Sequence, residues 1–298
     1  MSNLTVISST SPLKRIIHAI RAIEKGEYTS DLLRDLAAEQ GDLGQMARSV
    51  DAMAHHISLR ESQLKLLRRV IPIGVSLSAE RDFNRLLETL VVEAQSFTNA
   101  DAGSLYLVED KKLKFMILRN TSLNMQMGGT SRNPIPFTPV PMYQEDGKEN
   151  RSNVVSYAAL THKRINIADA YQAEGFDFSG TKAFDEQTKY RSQSFLTIPL
   201  ANSEGMIIGV LQLINAKDAK TGEIIPFEDS DELEALVLLA TAALDGYILE
   251  MTLRQEIAQL KIEINESRRA SQVAEITESK FFQDLRSKAE AMRTKSKK

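Results

Sequence analysis

The run from Asp185 to Glu232 sets an acid and two hydroxyls, Asp185, Thr188 and Ser192, at spacings of three and seven, ahead of two apolar strands and an acidic helix start. Carboxylate, hydroxyl and amide groups of this kind grip the polar edges of a small ligand, while apolar strands keep water out. Nothing beside them supplies a reaction. The chain has no cysteine, which removes disulfides, thiolate metal sites, cysteine nucleophiles and thioether attachment of a chromophore. Of its four histidines, His18, His55 and His56 sit on or near helical segments without carboxylates or cysteines at metal-ligand spacing, so packing or surface roles are expected. No metal-binding aspartate pair, His-Asp metal constellation, kinase signature or phosphatase signature occurs, and neither catalysis nor a metal site is expected.

These residues need a scaffold, and the sequence outlines one. Residues 77–97 read as an amphipathic helix capped near Ser78, with Phe83, Leu86, Leu87, Leu90 and Val91 inward. Ser104 to Asp110 and Leu113 to Asn120 flank an Asp-Lys-Lys turn, a hairpin pattern. Residues 121–153, rich in Gly, Pro, Asn and Ser, read as a long loop available to close over a pocket. Val154 to Lys163 reads as a short helix opened by Ser152 and Asn153, whose first N–H groups and partial positive charge suit an anion. A strand at Arg164 to Ile167 follows, then a second hairpin, Phe195 to Leu200 and Met206 to Ile214 across ANSEG. Helix, antiparallel strands, short helix, hairpin and terminal helix together predict an α+β fold with helices on a sheet.

At 298 residues the chain has room for about two modules plus connectors. Leu13, Ile16, Ile20 and Ile23 draw one apolar seam. A second runs through Leu43, Met46, Val50, Met53, Ile57, Leu64, Leu67 and Ile71, broken only at Arg60. From Asp229 to about Arg269 a long helix is expected, carrying Leu233, Leu236, Ala240, Leu244, Ile248, Leu253, Ile257, Leu260 and Ile264. Beyond it Phe281, Phe282 and Leu285 form an apolar patch that either folds back or docks a partner. A net charge of −3 with mixed signs leaves no polybasic face for nucleic acid, and only the final RTKSKK is basic and expected to fray. No uninterrupted apolar run reaches about 18 residues, so no membrane span and a cytoplasmic location are expected.

FDEQTKYRSQSFLTIPL, IIGVLQLINAKD and PFEDSDELE resemble the second half of a GAF domain, a small-molecule sensor module, and the resemblance extends over residues 64–248. It implies a pocket formed by Ser104, the backbones of Val154 and Val155 against a cyclic phosphate, Asp185, Thr188, Ser192 and Gln212. Read singly, Asp185 and Thr188 serve equally as caps of a helical turn, and Gln212 as a cross-sheet partner. The implied ligand is a cyclic nucleotide: cyclic AMP, cyclic GMP or a cyclic dinucleotide. Arg119 or Asn120 stands where members that read guanine carry an Asp, and Thr181 where they carry an aromatic ring. The family's Asn-Lys, Phe, Asp-Glu motif matches at Asn215, Phe227, Asp231 and Glu232, where it braces strand to helix. Ala216 takes the lysine position, and Lys217, one residue on, faces the other side of the strand. PLKRIIHAIRAIEKGEY with GDLGQMARSVDAM resembles a HAMP domain, whose two helices pair across a dimer as a four-helix bundle. The expected organisation is a HAMP-like helical module at 11–62, a GAF sensor domain with its leading helix at 63–248, and a C-terminal coiled-coil helix and tail at 249–298. The expected protein is a non-catalytic homodimer that relays ligand binding through its helices to an output signalling protein. The alternative is a ligand-free dimerisation scaffold, whose cavity would be filled by Phe176 or Phe178.

Overall fold

A computed structural model of the chain describes residues 11–278 and 280–295. Of the final RTKSKK expected to fray, residues 293–295 are helical, whereas residues 296–298 and the Phe282 side chain of the tail patch lie outside the described residues. Helix α1 (Pro12–Lys25) begins on a proline pre-set for the first turn and ends at Gly26, whose φ of 71° lets its N–H close on Ala22 and Ile23. A 3₁₀ turn, Ser30–Leu32, and α2 (Arg34–Ala38) lead to α3 (Asp42–Ala79). These helices enclose a small core of Ile16, Ala19, Leu33, Leu36, Ala47 and Val50. Arg15 ties it by two bonds to Asp35, at 2.8 and 2.6 Å, and one to the Leu32 carbonyl.

The two predicted seams are divided by this packing. Ile16 and Val50 face the core, while Leu13, Ile20, Leu43, Met46, Met53, Ile57, Leu64, Leu67 and Ile71 are exposed on the single chain. Alanines do the close packing inside: Ala19, Ala47 and Ala54 are buried and let the backbones approach. The predicted cap at Ser78 is corrected as well, because α3 runs on to Ala79. Helix α4 (Phe83–Thr98) starts instead at Asp82, whose carboxylate accepts the Asn84 and Arg85 N–H groups.

Strands β1 (Ala100–Glu109) and β2 (Lys112–Asn120) join through Asp110 and Lys111, both left-handed with φ of 49° and 61° as a two-residue hairpin turn requires. The stretch expected to be loop contains two further strands, β3 (Met125–Gly128) on the outer edge of β2 and the short β4 (Val140–Pro141) at its start. Glycine and proline punctuation concealed strands this short. Then come α5 (Val154–Thr161), β5 (Ile165–Ile167), α6 (Ser179–Thr188), β6 (Phe195–Ala201), β7 (Ile207–Lys217) and β8 (Ile224–Ile225). Helix α6 is an element that sequence reading treated only as a possible turn. All strand pairs are antiparallel, in the order β3-β2-β1-β7-β6-β5, with β4 on β2 and β8 on β7.

Alternation along the strands divides the core in two. Leu105, Leu211, Leu213, Leu196 and Leu200 face α4, the end of α3 and the start of α7 (Asp231–Glu278), where Leu86, Leu87, Leu90, Leu233, Leu236, Ala240 and Leu244 meet them. Gly103 allows this approach, since a Cβ there would come within 2.8 Å of Val91. Tyr106, Phe195 and Val210 face the other way, toward α5 and the loops. Helix α8 (Lys280–Lys295) follows α7. One stretch of α7 within Asp231–Val273 is long and apolar enough to cross a membrane, as the core helices of folded domains also can be. Part of that apolar content is spent under the sheet, at Leu233, Leu236, Ala240 and Leu244.

Candidate functional site

On the face of the sheet away from α4 lies an open cavity of about 490 Å³, within the roughly 300–1,000 Å³ range of small-ligand sites. Aromatic rings are prominent in its walls, Tyr106, Phe115, Phe137, Phe178, Phe184 and Phe195 among them. Rings connect across it. Phe137, from the segment between β3 and β4, sits 5.5 Å from Phe115 on the sheet and 6.2 Å from Phe184 on α6. The segment expected to close over a pocket therefore places an aromatic ring between the two walls.

Polar groups sit within this apolar frame. Gln212 on β7 donates to the Thr197 hydroxyl at 3.1 Å and accepts from the Tyr106 hydroxyl at 3.4 Å. Burial pushes the Tyr106 hydroxyl pKa up, so it stays a neutral donor. Helix α5 points its start at the cavity, but its anion-binding capacity is partly used. The Asn153 side chain accepts the Val155 and Ser156 N–H groups at 3.0 and 3.2 Å. The expectation of unpaired N–H groups is corrected for Val155.

Ser104, Val154, Val155, Ser192 and Gln212 line one cavity. Asp185 and Thr188 stand apart from its lining. Asp185, 3 % exposed, accepts the Ser192 N–H at 2.7 Å, the Ser192 hydroxyl at 2.8 Å and the Tyr171 hydroxyl at 2.9 Å. It is the peg on which the loop carrying Ser192 hangs. Thr188 returns its hydroxyl to the Phe184 carbonyl at 2.8 Å within α6. We therefore expect Asp185→Ala to cost about 3 kcal/mol of stability, read as a lowered urea midpoint; a midpoint equal to that of wild type would contradict this.

The second motif is redistributed. Asn215 is buried with a φ of 59°, and its amide holds four groups: the N–H groups of Gln193 and Ser194, the Tyr190 hydroxyl and the Arg191 carbonyl. Phe227 packs into the core beneath the sheet and accepts a bond from Asn166 through its carbonyl. Glu232 and Leu233 meet Ser230 at the start of α7, with Glu232 accepting from the Ser230 hydroxyl and the Leu233 N–H reaching the same oxygen. Lys217 does not reach Asp231. Its ammonium lies 2.5 Å from Asp101 on β1, so the strand-to-helix ion pair the family motif implies is replaced by one between strands. Sequence reading missed Asp101 and Tyr190, which belong to no local pattern and meet only when β1, β7 and the loop before β6 converge. It also missed the rings of Phe137 and Phe184, for which an aromatic residue in an otherwise polar loop was the available signal.

Among the described residues, no three His, Cys, Asp or Glu side chains gather where they could hold a metal ion.

The sequence matches the GAF domain family over residues 82–243, just over half its length, and the chain belongs to that family. It is 27 % identical over 240 residues to the cGMP-specific 3′,5′-cyclic phosphodiesterase of Drosophila ananassae, covering 74 % of this chain and 18 % of that enzyme. It is also 27 % identical over 186 residues to the dual 3′,5′-cyclic-AMP and -GMP phosphodiesterase 11A of Takifugu rubripes, covering 60 % and 18 %. The chain thus spans less than a fifth of these curated relatives. Among solved structures, the GAF domain of a phosphoenolpyruvate-protein phosphotransferase from Coxiella burnetii aligns at 16 % identity and a TM-score of 0.46, over 65 % of this chain and 98 % of that one. GAF domains of this kind serve signalling and sensing, and the portion shared with the phosphodiesterases is their GAF portion.

Proposed function

We propose that this protein is a non-catalytic, dimeric signal relay whose GAF domain binds a cyclic nucleotide and passes the event through its flanking helices to a partner protein. The observation that carries the reading is the open aromatic cavity with Ser104, Ser192 and Gln212 on its wall. In the scaffold alternative Phe176 or Phe178 would fill that space, whereas Phe178 stands in the wall, 5.3 Å from Phe195. Flat rings flanking a slot suit a purine, and hydroxyl and amide groups suit ribose and base edges. Similarity to the cyclic-nucleotide phosphodiesterases supports this ligand class. The exposed seams on α1 and α3 support a second chain docking there in HAMP-like fashion, and those on α7 support a paired exit helix. An absence of cysteine fits the cytoplasm. Coupling of about 1–3 kcal/mol between cavity and helices is enough for a switch.

Calorimetric titration with cyclic AMP, cyclic GMP and cyclic dinucleotides tests this. A saturable heat is expected with at least one of them, and Ser104→Phe, which fills the cavity from β1, is expected to abolish it. No heat with any of the three classes, or heat that survives Ser104→Phe, would overturn the reading.

A further inference from the structure

Asp101 is a buried carboxylate that the ligand-binding reading does not use. Its side chain is 2 % exposed, at the start of β1, and three donors converge on it. The Lys217 ammonium reaches it at 2.5 Å from the end of β7, the Ser122 hydroxyl at 2.8 Å from just beyond β2, and the Tyr190 hydroxyl at 2.7 Å from the loop between α6 and β6. Lys217 also donates to Ser122 at 3.0 Å. Of the three donors, Tyr190 alone lines the cavity. Its oxygen receives a further bond from the Asn215 amide at 2.9 Å. The hydroxyl is therefore held from both sides, and the ring is the part of Tyr190 left to meet a ligand.

We propose that the Asp101–Lys217 ion pair is the positioning device for this wall of the ligand cavity, fixing the Tyr190 ring in its binding orientation. The proposal rests on the ligand-binding reading above, and adds to it a residue pair that touches no ligand. A neutral acceptor in place of the carboxylate would hold Tyr190 less firmly, since hydrogen bonds to a charged group are about twice as strong as neutral ones. The charge of Asp101 is in turn kept in a buried site by Lys217. Burial raises the Asp101 pKa, while the bonds from Lys217, Tyr190 and Ser122 lower it, and the second effect prevails. Without the lysine that balance shifts toward the neutral acid, which prefers to donate its own proton and competes with the tyrosine for the arrangement. Lys217 stands one position from the family's lysine, and the ion pair it makes meets the cavity only through Tyr190.

Two measurements on the full chain test this. The first needs no ligand: the ¹³C-labelled Tyr190 ring resonance, assigned by its loss in Tyr190→Phe, is expected to shift in Lys217→Met and to stay in place in Lys217→Arg, which preserves the charge. A resonance unmoved by Lys217→Met overturns the proposal whatever the protein binds. The second is affinity for whichever of cyclic AMP or cyclic GMP the wild type binds, at a temperature where every variant is folded. Lys217→Met and Tyr190→Phe are each expected to weaken binding about ten-fold, and the double variant no further than the weaker single variant, because both act through one unit. Additive losses, or Lys217→Met binding as wild type does, overturn it. Wild type binding neither of these nucleotides nor a cyclic dinucleotide, with the resonance shift present, removes the ligand-binding reading and leaves the positioning of Tyr190 standing.

Discussion

Asn215→Ala is expected to lower stability by about 3–4 kcal/mol, the largest single-site loss outside the hydrophobic core. Two costs combine. The amide of Asn215 satisfies two N–H groups, a carbonyl and a hydroxyl in the loop that precedes β6, and alanine leaves these in a protein interior that water reaches poorly. Its φ of 59° adds roughly 1 kcal/mol for a residue with a Cβ and no local side-chain bond to favour that conformation. Asn215→Gly separates the two, because glycine accepts the backbone angle but restores none of the bonds; it is expected to lose about 1 kcal/mol less than alanine. Thermal and urea denaturation of both variants reads the difference. Equal losses would remove the conformational part, and no loss in either would show that the loop is held by other means.

Replacing Leu67 and Ile71 together by glutamate is expected to raise the dissociation constant of the proposed dimer by more than about 100-fold while leaving the folded chain intact. Leu43, Met46, Val50, Met53, Ile57, Leu64, Leu67 and Ile71 keep strict heptad spacing, and all but Val50 are exposed on one chain, Leu67 at 50 % and Ile71 at 54 %. Because the seam is outside the protomer's own core, charges there disturb only what lies against it. A two-chain interface would have to bury four carboxylates without partners, two from each protomer. Sedimentation velocity should show dimer for wild type and monomer for the variant, with an unchanged urea midpoint at low protein concentration. Identical sedimentation of the two proteins would place the seam outside any dimer contact.

The sheet and its helices were legible because their signals are periodic and local. Alternating apolar residues marked β1, β2, β6 and β7, and the acid-rich start of α7 announced the exit helix. What escaped detection was short or cooperative. Strands β3 and β4 exist only as additions to β2, and α6 holds Asp185, a residue whose partners are Tyr171 and Ser192 in separate loops. Spacing identified Asp185, Thr188 and Ser192 as a group, yet α6 turns the first toward the following loop and the second back along the helix, and only Ser192, on that loop, lines the cavity. The Lys217 displacement was visible in the sequence, whereas its partner was not, since Asp101 lies more than a hundred residues earlier.

A Cβ at Gly74 of α3 would come within 2.8 Å of the Leu239 side chain of α7, so the helix that leads into the domain and the helix that leads out of it are packed directly together at that point. The sensing unit hangs from that point as a closed excursion of the chain. Such a unit behaves as a cassette: it can be spliced into a helical stalk, duplicated or removed without changing the separation of the segments on either side. The same geometry gives it leverage, because any shift of the domain that rotates one helix must be accommodated by the other at a contact with no side chain to spare.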